Sequence, residues 1–126
     1  MNKLIKPCSI NQISLEHISK VFVEGDNKLI VVDNLSFVFK KGSTYAIMGS
    51  SGTGKSTLLH MIAGFEPITS GTILYDEASI ASLTKKQKQA FMHHAFGILF
   101  QNAYLLDELS VLENVMLKGL SVGRSQ

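Results

Sequence analysis

One stretch of this chain combines glycines, a lysine and hydroxyl side chains in a spacing that suits phosphate binding. Residues 49–56 read Gly-Ser-Ser-Gly-Thr-Gly-Lys-Ser, which fits the spacing G-x-x-x-x-G-K-[ST]. The glycines let the backbone curl until several N–H groups point at one centre, where they can bind an anion. Lys55 would reach the β- and γ-phosphates of ATP, and Ser56 would ligate Mg²⁺. The predicted phosphate-binding set is Gly49, Ser50, Ser51, Gly52, Thr53, Gly54, Lys55, Ser56 and Thr57.

A strand and a helix must hold this loop in place. Residues 44–48 are mostly apolar, which predicts a short buried strand. Residues 57–63 carry the apolar spacing of a packed helix, which we expect to begin near Lys55 and to end before Gly64. The helix would direct its free N–H groups and the positive end of its dipole at a bound phosphate. A glycine-rich turn without a ligand would not require this context on both sides.

The composition predicts one globular domain or part of one. The chain has 126 residues, of which 45% are apolar and 17% charged, and its net charge is +2. The lysines are scattered, Arg124 is the only arginine, and no aromatic residues alternate with a basic stripe, so we expect no nucleic-acid partner. Cys8 is the only cysteine, which excludes an internal disulfide and a cysteine-based zinc site. No apolar run approaches the roughly 18 residues of a membrane span, so we expect a cytoplasmic chain without direct membrane insertion.

The first third of the chain predicts antiparallel strands after a flexible tail over residues 1–12. Residues 13–18 alternate apolar and polar side chains, residues 24–27 form a turn cluster, and residues 30–32 read as a strand that Asp33-Asn34 breaks. A further strand places three apolar side chains on one buried face: Leu35, Phe37 and Phe39. Because no helix separates these strands, they predict an antiparallel sheet beside the nucleotide site.

The rest of the chain predicts two more strands and two capped helices. The strands cover residues 72–75 and 96–100. Capping boxes at residues 84–87 and 110–113 open helices that run to about His94 and about Leu120. His93-His94 could suggest a metal site, but adjacent helix positions point about 100° apart and no third ligand is near.

Residues 104–108 resemble a second nucleotide motif, in which an apolar strand ends in Asp-Glu. There Asp107 would hold Mg²⁺ and Glu108 would activate water. The apolar run is short, however, and a helix start follows almost at once at Ser110. The pattern therefore favours a loop over residues 102–109, and the catalytic interpretation is the alternative.

Several segments, taken in order, resemble the nucleotide-binding domain of ABC transporters. Residues 19–22 are similar to the A-loop, which implies that Phe22 stacks on adenine. Residues 49–56 with the following Thr57-Leu58-Leu59 are similar to Walker A. Residues 97–101 are similar to the Q-loop, which implies that Gln101 senses Mg²⁺ and the γ-phosphate. Within the family, the chain is most similar to the lipoprotein-releasing and macrolide-exporter type of ATPase subunit.

The resemblance implies an α/β fold, namely part of a P-loop NTPase core with an N-terminal antiparallel β subdomain. It covers residues 13–120 as a partial nucleotide-binding domain, and residues 121–126 are expected to be a frayed end. The family's cofactors are ATP and Mg²⁺. Its partners are a second nucleotide-binding domain and transmembrane subunits, which implies a location at the cytoplasmic face of the inner membrane. The coupling groove for those subunits would include residues 100–112.

The same resemblance shows what these 126 residues lack. They contain no Ser-Gly-Gly signature, no later strand that ends in a catalytic glutamate, and no switch histidine beyond it. We therefore assign no catalytic residue, and we expect the chain by itself to bind nucleotide with little or no hydrolysis. Two alternatives remain open at this point: a compact P-loop kinase for a small metabolite, and a non-catalytic nucleotide-binding remnant.

Overall fold

A computed structural model describes residues 10–102 and 104–121, without the side chains of residue 93 and residues 118–121. The chain divides into two compact units, Met1–Ala95 and Phe96–Gln126. Cys8, most of the predicted tail, and residues 122–126 of the predicted frayed end lie outside the described residues.

The first unit is built on a four-stranded antiparallel sheet with the strand order β2-β1-β3-β4. The strands are β1 (Gln12–Glu24), β2 (Asn27–Lys40), β3 (Ser70–Tyr75) and β4 (Ala78–Ser79). Glu24 pairs with Asn27 across the predicted turn, and Gly25 takes the positive φ of 58° that this tight turn requires. The predicted antiparallel sheet is confirmed, and it begins at Gln12.

The predicted break of β2 at Asp33-Asn34 is wrong, because β2 runs through both residues. The strand absorbs them as an irregularity in its pairing with β1, where Asn34 and His17 both take positive φ values. Side chains replace the lost ladder bonds: Asn34 N donates to Ser19 Oγ at 3.0 Å, and His17 N donates to Ser36 Oγ at 2.9 Å. Asn tolerates the left-handed conformation better than most residues, so this position bends the strand without ending it.

The core of the first unit lies between the sheet and two helices, α1 (Lys55–Ile62) and α2 (Lys85–Ala95). The Tyr75 ring packs against Phe91 of α2 at 5.0 Å between centroids, and its hydroxyl donates to the carbonyl of Ile62 at the end of α1. Burial raises the pKa of Tyr75 well above its ordinary value. The buried apolar side chains include Leu15, Ile18, Leu58, Met61, Ile62, Ile73, Tyr75 and Phe91.

The predicted buried face of β2 is wrong for Phe37, which is exposed, whereas Leu35 and Phe39 are half-buried. Phe37 and Phe39 instead form an edge-to-face cluster with Tyr45, with centroids 4.8 to 5.6 Å apart. The Tyr45 hydroxyl accepts a hydrogen bond from Lys40 N at 3.0 Å. The cluster therefore anchors the segment that leads to the phosphate-binding loop onto β2.

The predicted strands over residues 44–48 and 96–100 are wrong as secondary structure, because both segments are irregular. A parallel strand forms only when a neighbouring strand supplies its hydrogen-bonding partners. Within residues 10–102 and 104–121, every ladder is antiparallel and none includes either segment.

The two predicted capping boxes are confirmed. Thr84 N donates to the Gln87 side chain at 3.0 Å and Gln87 N donates to Thr84 Oγ1 at 3.3 Å, at the start of α2. In the second unit, Ser110 N donates to Glu113 Oε2 at 2.8 Å and Glu113 N donates to Ser110 Oγ at 3.3 Å, at the start of α3 (Val111–Ser121). No helix in the described part of the chain is long and apolar enough to cross a membrane.

Candidate functional site

The predicted phosphate-binding loop is an exposed turn that leads directly into α1. The φ angles of its three glycines are 151° at Gly49, 80° at Gly52 and 85° at Gly54. All three values lie in the region that favours glycine, so the curl expected from the sequence is present in the backbone. The predicted helix is confirmed, and it begins at Lys55.

The start of α1 offers backbone donors to an anion. Gly54 caps the helix in the left-handed conformation without a side-chain cap, and the first helical bond runs from Leu58 N to Gly54 O at 2.8 Å. The N–H groups of Lys55, Ser56 and Thr57 precede that bond, so the helix itself does not use them. No acidic residue stands in the first turn, which leaves the positive end of the dipole unopposed.

The Lys55 ammonium folds back over the loop. It donates to the carbonyl oxygens of Gly49 at 3.0 Å and Ser50 at 2.5 Å, and it lies 3.4 Å from Thr53 Oγ1. Thr53 Oγ1 donates to Ser50 O at 2.8 Å, which closes the loop on itself. These partners are neutral, and phosphate oxygens would be stronger acceptors for the same ammonium. The arrangement places one cation against two backbone carbonyls and one hydroxyl of the loop.

β2 contacts the loop at a point that sequence reasoning missed. A Cβ built on Gly54 would lie 2.5 Å from Val31 Cγ1 and 2.8 Å from Val31 O. Val31 is the extra residue of a bulge, because Lys20 pairs with Val32 while Val21 pairs with Ile30. Glycine at position 54 is therefore required by close packing as well as by φ. No motif marks Val31, since the bulge follows from the pairing of two strands.

Phe22 lies near the end of β1, opposite Leu29 on β2, with 40% of its surface exposed. Leu29 is two residues from Val31, which corresponds to about 7 Å along a strand. The ammonium of the buried Lys20 lies 4.5 Å from the centroid of the Phe22 ring. The β1–β2 hairpin thus carries the aromatic residue predicted to stack on adenine and also contacts the phosphate-binding loop.

Gln101 lies in the second unit, where it is exposed in a bend that follows residues 96–100. The neighbouring Phe100 ring packs edge-to-face on Tyr104, with centroids 5.4 Å apart. The role of Gln101 toward Mg²⁺ and the γ-phosphate stays a prediction.

Residues 104–109 form a loop, as the local pattern favours, and Asp107-Glu108 lie in a turn rather than at the end of a strand. The Asn114 side chain of α3 holds this loop. Its Oδ1 accepts from Leu106 N at 2.9 Å, and its Nδ2 donates to the carbonyls of Leu106 at 3.1 Å and Leu109 at 3.0 Å. This role is not among those predicted from the sequence. The available signal is that Asn114, whose side chain can both donate and accept hydrogen bonds, directly follows the capping box at residues 110–113.

The described residues contain no group of three or more His, Cys, Asp or Glu side chains that could hold a metal ion by themselves. The side chain of His93 lies outside the described residues.

Comparison with known proteins gives consistent matches. A family model described as "ABC transporter" matches residues 32–126. The lipoprotein-releasing system ATP-binding protein LolD of Pseudoalteromonas translucida is 37% identical, over 86% of this chain and 49% of that protein. LolD of Shewanella denitrificans is 34% identical, over 97% of this chain and 52% of that protein. The chain thus spans about half the length of the curated relatives it matches.

Solved structures agree with the sequence matches. The dimeric structure of the ATP-binding cassette MJ0796 in a post-hydrolysis state, bound to ADP and Pi, superposes with a TM-score of 0.81. It is 28% identical and is matched over 90% of this chain and 49% of that chain. A second dimeric structure of MJ0796, described as a bacterial ABC transporter cassette, gives the same TM-score at 29% identity. The expected α/β P-loop fold, present in part, is confirmed by these neighbours.

Proposed function

Because this chain belongs to the ABC transporter family, we propose that it is the ATP-binding portion of a transporter ATPase subunit. In this proposal, residues 49–57 bind the phosphates of Mg-ATP, and the complete subunit energises transport through membrane partners. The observation that carries the proposal is the Lys55 ammonium folded over the glycine-rich loop beside the free N–H groups at the start of α1.

Bound phosphates would replace the loop carbonyls as hydrogen-bond partners of the Lys55 ammonium. Lys55 would exchange the carbonyls of Gly49 and Ser50 for β- and γ-phosphate oxygens, which gain charge-assisted hydrogen bonds. The N–H groups of residues 55–57 would donate to the same phosphates. Ser56 is exposed at the first turn, where its hydroxyl can ligate Mg²⁺. When bound, Mg²⁺ neutralises charge on the β- and γ-phosphates.

Phe22 would bind the other end of the nucleotide. An exposed aromatic ring on β1 offers a stacking surface for adenine, and its strand partner β2 contacts Gly54 of the loop. The β1–β2 hairpin would therefore bind the base through Phe22, and the loop and helix that the hairpin contacts would bind the phosphates.

The partners of the complete subunit follow from the same assignment. We infer that a second nucleotide-binding domain completes the site, and the dimeric MJ0796 structures support this. Transmembrane subunits would contact the second unit, whose exposed apolar side chains include Leu105, Leu106 and Leu112. In this proposal, the complete subunit works at the cytoplasmic face of the inner membrane. The LolD relatives support lipoprotein release as the transport process.

The 126-residue chain by itself would hydrolyse ATP slowly or not at all. Lys55 and Mg²⁺ can stabilise charge on the transferring phosphate, but a second element must activate water. Among the described residues, the Asp-Glu pair at 107–108 lies in a turn of the second unit rather than at the end of a core strand. We therefore assign binding to this chain and no catalytic residue.

A nucleotide series tests the proposal. Titration calorimetry with Mg²⁺ should give comparable affinity for ATP and ADP and at least about tenfold weaker affinity for AMP, because Lys55 and the loop bind the terminal phosphates. Lys55→Met should remove most of the affinity for ATP. Lys41→Met removes the same charge from an exposed turn and should leave the affinity unchanged. Equal affinities for ATP and AMP, or equal effects of the two substitutions, would contradict the assignment.

A further inference from the structure

Lys20 is a buried lysine within residues 19–22, and the resemblance of this segment to the A-loop assigns a role to Phe22 but none to Lys20. Only 6% of its surface is exposed, although it lies on β1 two residues from the exposed Phe22. Lysine is rarely buried unless its charge is paired, because removing an ammonium from water is costly. A buried lysine beside a candidate base-binding residue therefore needs an explanation.

The Lys20 ammonium has three N–H donors, and the structure supplies three partners. Nζ lies 2.5 Å from Glu66 Oε1, donates to Pro67 O at 2.9 Å, and lies 4.5 Å from the centroid of the Phe22 ring. A cation over an aromatic face is attracted to the ring quadrupole, more strongly where water is excluded. The ion pair with Glu66 and the bond to Pro67 thus fix the ammonium where it covers one face of Phe22.

Further contacts lock this part of β1 to the segment after α1. Val21 N donates to Thr69 Oγ1 at 3.0 Å, and Thr69 N donates to Ser19 O at 2.9 Å. Lys20 also lies at the bulge whose other strand presents Val31 to Gly54. The backbone that carries Phe22 is therefore held on both sides, and the Lys20 ammonium contacts the ring.

We propose that Lys20 is a positioning residue for nucleotide binding, which holds the Phe22 ring so that its uncovered face stacks on the base. This inference rests on the proposed function, since it assigns Phe22 to adenine. The ammonium lies over one ring face, and 40% of the surface of Phe22 is exposed to a ligand. A cation on the covered face also draws electron density from the ring, which favours stacking with an electron-rich purine.

The test compares a ligand that has a base with one that does not. Mg-ATP and Mg-tripolyphosphate are titrated into the 126-residue chain, into Lys20→Met, which keeps the length of the side chain, and into Lys20→Arg, which keeps the cation. Lys20→Met should weaken ATP binding by about tenfold and leave tripolyphosphate binding within about twofold of the wild type. Lys20→Arg should restore most of the ATP affinity. Lys28→Met removes the same charge from an exposed position on the same hairpin and should change neither affinity.

A double-mutant cycle with Phe22→Ala completes the experiment. Phe22→Ala should weaken ATP binding at least as much as Lys20→Met, and the double variant should lose little more than Phe22→Ala alone. Tripolyphosphate binding serves as the check on folding, because the phosphate loop binds only in the folded chain. Parallel losses of both ligands in Lys20→Met, or additive losses in the cycle, would overturn the inference and leave the proposed function standing. A wild-type chain that binds neither ligand would overturn both.

Discussion

The antiparallel strands and the two apolar segments at 44–48 and 96–100 are all predicted as strands from the sequence, yet only the antiparallel strands form in the structure. β1 and β2 form a long ladder, and β1 also pairs with β3, so each apolar run finds its partner within the first unit. The segments at 44–48 and 96–100 belong to no ladder among the described residues. Strand formation is therefore a property of a pair, because an apolar run becomes a strand only when another strand supplies its hydrogen bonds.

Truncating one leucine in each region should give the largest difference, and the quantity to measure is the free energy of unfolding. Leu15 of β1 is 2% exposed, whereas Leu99 is 98% exposed. Leu15→Ala should lower the free energy of unfolding by about 2–5 kcal/mol, because it opens a cavity in the core. Leu99→Ala should change it by less than about 0.5 kcal/mol. Urea unfolding followed by circular dichroism measures both, and equal losses would contradict the distinction between the two regions.

Gly52 and Gly54 have nearly equal φ angles but different surroundings, so alanine should destabilise the chain differently at the two positions. A side chain at Gly52 would meet nothing within 4 Å, whereas one at Gly54 would meet Val31. Gly52→Ala should cost only backbone strain of about 1–3 kcal/mol. Gly54→Ala should cost more in thermal unfolding and should weaken Mg-ATP binding further, because it displaces β2 from the loop. Identical melting temperatures for the two variants would show that the contact with Val31 contributes nothing.

The two capping boxes should differ in how their contribution to stability depends on pH, and this difference should be small. Hydrogen bonds from the Ser110 side chain and backbone hold the pKa of Glu113 below its ordinary value. A carboxylate whose pKa is lowered on folding stabilises the folded state at neutral pH. That contribution is lost as the pH falls from about 4.3 toward the lowered pKa. The box at Thr84 uses the neutral Gln87 and has no such dependence.

NMR of the amide groups can follow both boxes during an acid titration. The signals at the start of α3 should shift with a midpoint below the ordinary glutamate pKa, while those at the start of α2 should respond less. Glu113→Gln should abolish the response at α3 and leave α2 unchanged. A midpoint at or above the ordinary pKa would contradict the role of the Ser110 hydrogen bonds.

The sequence correctly predicts those features whose hydrogen-bonding partners lie close together in the chain. The start of α1, both capping boxes and the turn after Glu24 depend on residues within one or two turns of each other, and all are confirmed. The continuity of β2 through Asn34 could not be predicted, because it depends on side chains of β1 that replace ladder bonds. The irregular backbone of residues 44–48 could not be predicted either, since an apolar run becomes a strand only where a long-range partner pairs with it.

The residues of the candidate site also fall into two groups, those that a local motif predicts and those that only long-range contacts reveal. The glycine spacing and Lys55 are visible in the sequence because the chemistry requires those types at those positions. Val31 lies in no motif, because it contacts the loop through a bulge. The A-loop resemblance gives Lys20 no role, and its contacts with Glu66 and Phe22 are seen only in the structure. Long-range contacts of this kind appear only once the strands are paired. The sequence therefore identifies the groups that would touch phosphate, but not the residues that would hold them.

The most direct test of the central claim measures binding and phosphate release on one preparation of the 126-residue chain. Calorimetry should show Mg-ATP binding that Lys55→Met removes, and the same sample should release phosphate from ATP no faster than buffer. Absence of Mg-ATP affinity would contradict the assignment of the loop. Phosphate release that depends on Lys55 would contradict the claim that this chain binds ATP without the groups needed to cleave it.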